Sequence, residues 1–91
     1  MPDEPIKKRR YRAKQKAMEH FTEAGYAVIE SDNRTFCFIA TRRREIRLIR
    51  VVVDEITPSD IKAASSVAVP PECSREIFCQ KGTRFMIKEI L

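Results

Sequence analysis

Apolar and polar positions follow two different periods along this chain, and the switches between them mark its elements. From Ile6 to Ala24 the apolar residues Tyr11, Ala17, Met18, Phe21 and Ala24 recur at spacings of three, four and seven. That is the period of one helix face, and it places Tyr11 in the core. The Lys, Arg, Gln and Glu between them are good helix formers, and Gly25 stands where such a helix ends. The pattern then turns strand-like over Tyr26–Ser31, Thr35–Thr41 and Glu45–Val53, with polar turns at Asp32-Asn33-Arg34 and Arg42-Arg43-Arg44. Val51, Val52 and Val53 form an unbroken β-branched run, which suits a strand covered on both faces.

Thr57-Pro58-Ser59-Asp60 reads as a helix start, with Thr57 capping and Pro58 at the first helical position. The short helix spans about Pro58 to Val67, and Pro70 and Pro71 forbid its continuation. Two further strands, Arg75–Gln80 and Arg84–Ile90, flank a hairpin turn at Lys81-Gly82-Thr83. Residues 1–5 carry two prolines and no periodicity, so a disordered start is expected there. Residues 6–91 then form a single domain. The order α-β-β-β-α-β-β predicts an α/β layered fold. In it the first helix packs through Met18 and Phe21 on a central mixed sheet carrying Val28, Phe38, Ile49 and Val51.

Charge changes this picture by adding a polarity. The 91 residues carry a net charge of +5, but residues 1–50 hold 13 Lys and Arg against 7 Asp and Glu, whereas residues 51–91 hold 5 against 6. A positive field confined to one half favours polyanions, nucleic acid first among them. Seven of the ten residues from Lys7 to Lys16 are basic. On a helix Arg9, Arg12 and Lys16 line up, with His20 continuing the stripe, and such a stripe can track phosphates. Arg42, Arg43 and Arg44 make a second cluster in an exposed turn. Arg47 and Arg50 follow with opposite strand parity, so they point to opposite faces. The plainer reading of both clusters is a solvated surface.

Other chemistry is thinly represented. Cys37, Cys73 and Cys79 show no CxxC or zinc-ligand spacing, and His20 is the only histidine. These read as reduced thiols in a cytoplasmic protein, with Cys37 and Cys79 as small strand residues. With only Gly25 and Gly82 there is no glycine-rich phosphate cradle, and no cofactor is expected. No apolar run approaches the ~18 residues of a membrane span, and no apolar segment behind the basic start reads as a signal peptide.

Four segments in this order resemble the restriction-endonuclease-like PD-(D/E)xK nuclease superfamily, its small Holliday-junction-resolvase-like members above all. They are Gly25-Tyr-Ala-Val-Ile-Glu-Ser31, Phe36-Cys-Phe-Ile-Ala40, Ile46-Arg-Leu-Ile-Arg-Val-Val52 and Val69-Pro-Pro-Glu-Cys-Ser-Arg-Glu-Ile-Phe78. The resemblance covers roughly Arg10 to Ile90 and implies the restriction-endonuclease-like core. It also implies a metal site of Asp, Glu and Lys. At those positions this chain has Cys37, Arg50 and Val52. A thiol is a poor Mg²⁺ ligand, and an arginine puts a cation where the metal would stand.

The resemblance therefore implies a catalytically inactive nuclease fold that binds nucleic acid, DNA before RNA, without metal, and that acts as a homodimer. The nucleic-acid contacts expected are Arg9, Arg12, Lys16, Arg42, Arg43 and Arg44, flanking one side of the sheet. Arg50 must be satisfied by a carboxylate, by solvent or by phosphate, and a structural pair with Glu30 in place of the metal is a candidate. The alternatives are a protein-interaction or structural module without nucleic acid, and an active nuclease whose carboxylates have moved to Glu30, Asp54 and a helix acid. If about five phosphates are neutralised, log K falls against log salt with a slope near −4 to −5.

Overall fold

The computed structural model describes residues 5–31 and 33–91. The start predicted to be disordered lies outside the described residues except for Pro5, as does Asp32 of the first polar turn. Helix α1, Ile6–Glu23, is anchored by Ala13, Ala17 and Phe21, which are buried and spaced one turn apart. Two alanines in that stripe let the helix backbone approach the sheet closely.

Tyr11, expected in the core, is instead 64% exposed. At 3.6 residues per turn it stands about 200° around the helix from Ala13, so the stripe that buries the alanines turns it outward. Ala24 is also exposed, because the helix has ended and Gly25 takes a left-handed φ of 93°.

The strands are β1, Ala27–Glu30; β2, Phe38–Arg42; β3, Glu45–Val53; β4, Cys73–Lys81; and β5, Arg84–Ile90. They form one five-stranded sheet in the order β1-β2-β3-β4-β5. The first three are an antiparallel meander. Helix α2, Pro58–Ser65, carries the crossover to β4, which runs parallel to β3. β5 returns antiparallel. The sheet is therefore mixed, as the element order predicts. β2 begins three residues later than predicted because the Asn33 side chain accepts the N–H groups of Thr35 and Phe36, at 2.6 and 3.2 Å. That turn holds the chain away from the ladder.

The helices cover opposite faces. α1 packs on β1 and β3, and α2 on β4 and β5. Phe21, Tyr26, Phe38, Ala40, Ile49, Val51 and Phe78 form the α1-side core, with Met18 and Val28 against it. Phe36, Val52, Ala64, Ile77, Cys79 and Ile90 form the other. Val51 and Val52 feed different cores, as a doubly covered strand requires.

One charged pair enters the α1-side core. Glu76 is 5% exposed and accepts two hydrogen bonds from Arg47, whose guanidinium lies 4.8 Å from the Phe21 ring centroid and donates to the Tyr26 hydroxyl at 2.9 Å. The Glu76 bonds hold the Arg47 pKa above its ordinary value. The second helix is closed by a capping box, with Thr57 accepting from the Asp60 N–H and Asp60 accepting from the Thr57 N–H.

Candidate nucleic-acid interface

The late start of β2 creates the site. Its first residue, Phe38, pairs with Ile49, so Arg50–Val53 of β3 are paired only with β4. Beside that uncovered end opens a cleft of about 300 Å³. α1 lines it with Lys7, Arg10, Tyr11 and Lys14, a single helix face at spacings of three and four. The β1–β2 connection adds Arg34 and Cys37, β3 adds Arg50, Val51 and Val52, and α2 adds Asp60. Among the described residues five cations thus face one carboxylate. The first turn of α1 carries no acidic residue, so its positive dipole end adds to the potential.

The cations are held differently. Lys7, Arg10 and Arg34 are exposed and make no ion pair among the described residues. Lys14 reaches Glu30 at 3.4 Å. Arg50 is fully engaged. Its Nε and Nη2 donate to Oδ1 of Asp60 at 3.1 and 3.0 Å, and its Nη1 donates to the Thr35 carbonyl at 3.0 Å. Burial pushes the Asp60 carboxyl up, but hydrogen bonds from the Thr57 N–H and hydroxyl and from Arg50 outweigh it and leave the group below the usual carboxylate range. Arg50 therefore ties the floor of the cleft to the capping box of α2.

The partner of Arg50 is Asp60, not the candidate Glu30. Arg50 points to the α2 face of β3, whereas Glu30 belongs to the edge strand and pairs with a helix lysine. Cys37, Arg50 and Val52 do come together in the cleft. Glu30 and Asp54 do not converge. Asp54 stands at the end of β3 with a φ of 70° and accepts from Arg9 at 2.5 Å. Glu19 and Glu23 line a different hollow beside His20 and Phe85. Among the described residues no three His, Cys, Asp or Glu side chains stand together as a metal site.

No family model, curated protein or solved structure matches this chain.

The six predicted contact residues are split between two places, neither of which is the cleft. Arg9, Arg12 and Lys16 line a hollow of about 230 Å³ with Val53, Gln80 and Gly82, on the other flank of α1. Arg42, Arg43 and Arg44 close the β2–β3 hairpin at the far end of the helix. There Arg42 donates to the Ala24 carbonyl at 2.8 Å, pairs with Glu45 at 3.0 Å and lies 4.3 Å from the Tyr26 ring centroid. From Arg9 to Ala24 an α-helix rises about 22 Å, so the two clusters stand toward opposite ends of α1. The cleft is lined instead by Lys7, Arg10, Tyr11, Lys14 and Arg34, none of which the sequence pattern marked as a contact. Four of them were legible as a second stripe in the same basic run, but assigning Tyr11 to the core hid it.

Proposed function

We propose that this protein binds nucleic acid by its phosphates, DNA before RNA, through the cleft lined by Lys7, Arg10, Lys14 and Arg34, and that it does not cleave what it binds. The observation that carries this is the convergence of those cations on the place where Cys37, Arg50 and Val52 meet. In the resembled PD-(D/E)xK nucleases those three positions would hold the metal site. The mixed sheet with a helix on each face agrees with the core that the resemblance implies. Arg50 held by Asp60 stands where the resembled nucleases have a metal-binding carboxylate, and a guanidinium offers Mg²⁺ no ligand. The reading is then an anion site in which a guanidinium replaces a carboxylate that metal-assisted hydrolysis uses.

Binding of this kind is electrostatic and largely independent of sequence, since phosphate contacts position without reading bases. The test is fluorescence anisotropy with duplex, branched and single-stranded DNA at ~50 mM salt, where exposed charges are least screened. A Lys7→Ala/Arg10→Ala/Lys14→Ala variant is expected to lose most of the affinity, and an Arg43→Ala/Arg44→Ala variant to keep it. No cleavage is expected with Mg²⁺ or Mn²⁺. Absence of binding by the parent protein to any of the three would refute the proposal and favour a protein-interaction module. Metal-dependent cleavage abolished at Glu30 or Asp54 would favour a relocated active site.

A further inference from the structure

We infer that the cleft takes a single-stranded segment of nucleic acid, with one unpaired base stacked on the ring of Tyr11. The inference rests on the phosphate-binding reading of the cleft and names the form of the ligand. Tyr11 is 64% exposed. Among the described residues it has no aromatic, hydrogen-bonding or cationic partner. Its neighbours on the cleft wall are Lys7 one turn before it, Arg10 beside it and Lys14 one turn after it, with Arg34 on the connection that also lines the cleft. An exposed ring set among cations is the arrangement that single-strand sites use, with the charges following the backbone and the ring receiving a base face. A duplex offers only base edges in its grooves, because its faces are already stacked, so it cannot use the ring in this way.

The shape of the site agrees. At about 300 Å³ the hollow is at the small end of ligand-sized pockets. Its floor is partly apolar, with Val51 and Val52 beneath the cationic rim. α1 is fixed to the sheet through Ala13, Ala17 and Phe21, which holds Tyr11 and its neighbouring cations in place on the cleft wall. A flexible strand can bend into such a hollow, whereas a stiff duplex bridges it.

The test uses the full chain and a thymine-rich DNA strand carrying one 2-aminopurine, alone and annealed to its complement, at equal salt. The parent is expected to bind the single strand more tightly than the duplex and to quench the 2-aminopurine. Tyr11→Ala is expected to weaken single-strand binding about five- to a hundredfold, the range of one base–aromatic stack, and to abolish the quench. Duplex binding should change less than twofold. Tyr11→Phe should retain both affinity and quench. The single strand should also slow alkylation of Cys37, which lines the cleft, but not of Cys73, which does not.

Circular dichroism checks that the variants fold, and alanine at this exposed helix position favours the helix. If Tyr11→Ala leaves single-strand binding unchanged, or lowers both forms equally, the stacking inference is overturned while phosphate binding stands. Unprotected Cys37 in a saturated complex overturns it as well, because the strand then lies elsewhere. No binding of either form by the parent removes the inference together with the reading beneath it.

Discussion

Arg50 shows how far a single residue can be read. Strand parity correctly put it on the opposite face from Arg47, and of the carboxylate, solvent and phosphate that could satisfy its charge the structure shows a carboxylate. The identity of that partner depended on where α2 docks, which no local pattern encodes. Asp60 serves two structures at once, the capping box of α2 and the tie to β3, so removing it leaves Arg50 without its carboxylate and the Thr57 N–H without its acceptor, while the Thr57 side chain still caps the helix. Asp60→Ala is expected to cost about 2–4 kcal/mol of folding stability, from half of the capping box and a broken, largely desolvated pair. Arg50→Met keeps the whole capping box and fills similar volume, so it should cost less, about 1 kcal/mol. Urea denaturation separates the two, and equal losses would mean that the Asp60 half of the capping box contributes nothing. The sign of the pH effect follows from the depressed Asp60 pKa. Its contribution is fully present above the ordinary carboxylate value of about 3.9 and fades as pH falls below it. Asp60→Asn should therefore be less stable at neutral pH and should lose less stability on acidification.

At the scale of elements the chain was unusually legible. β3 and β5 have the predicted limits, and the other elements differ by a few residues at their ends. Each depends on local signals, such as the β-branched run at Val51–Val53, the Thr57-Pro58 start and Gly82 in its turn. The exact rotation of α1 was not legible, and it decides which residues meet the cleft. Ala13 and Ala17 set that rotation because they allow the closest approach to the sheet, whereas a pattern weighted by hydrophobic size points to Tyr11. The β2–β3 hairpin carries a related cost: Arg43, a non-glycine residue, has a φ of 57°. Relief of that left-handed conformation is partly offset by the greater freedom of glycine in the unfolded chain. Arg43→Gly is therefore expected to stabilise the fold by about 0.5 kcal/mol, read from the denaturation midpoint at constant slope. It should leave nucleic-acid binding untouched, because the turn lies at the other end of α1 from the cleft. A loss of affinity would return the turn to the interface.

Across the whole molecule, the sign and half-chain location of the charge surplus are legible in the sequence, but its division in space is not. The meander of β1, β2 and β3 with α1 gathers the basic half of the sequence around one end and two flanks of the sheet. Within it many cations are already committed: Arg9 to Asp54, Arg42 to Glu45, Arg47 to Glu76 and Arg50 to Asp60. A cation bound to a carboxylate releases few counterions when a phosphate approaches, since its field is already compensated. The electrostatic part of binding should therefore follow the cleft cations that lack such a partner among the described residues, not the net charge. Lys7, Arg10 and Arg34, with a partial share from Lys14, correspond to three or four phosphates. At about 0.7 counterions per single-strand phosphate, log K should fall against log salt with a slope near −2 to −3, shallower than the −4 to −5 expected if about five phosphates are neutralised. Arg34→Ala should make the slope shallower by a little under one, because one phosphate fewer is then neutralised. Arg9→Ala should leave it nearly unchanged. A parent slope steeper than −4, or a larger drop from Arg9 than from Arg34, would mean that the hollow on the other flank of α1 carries the backbone instead of the cleft.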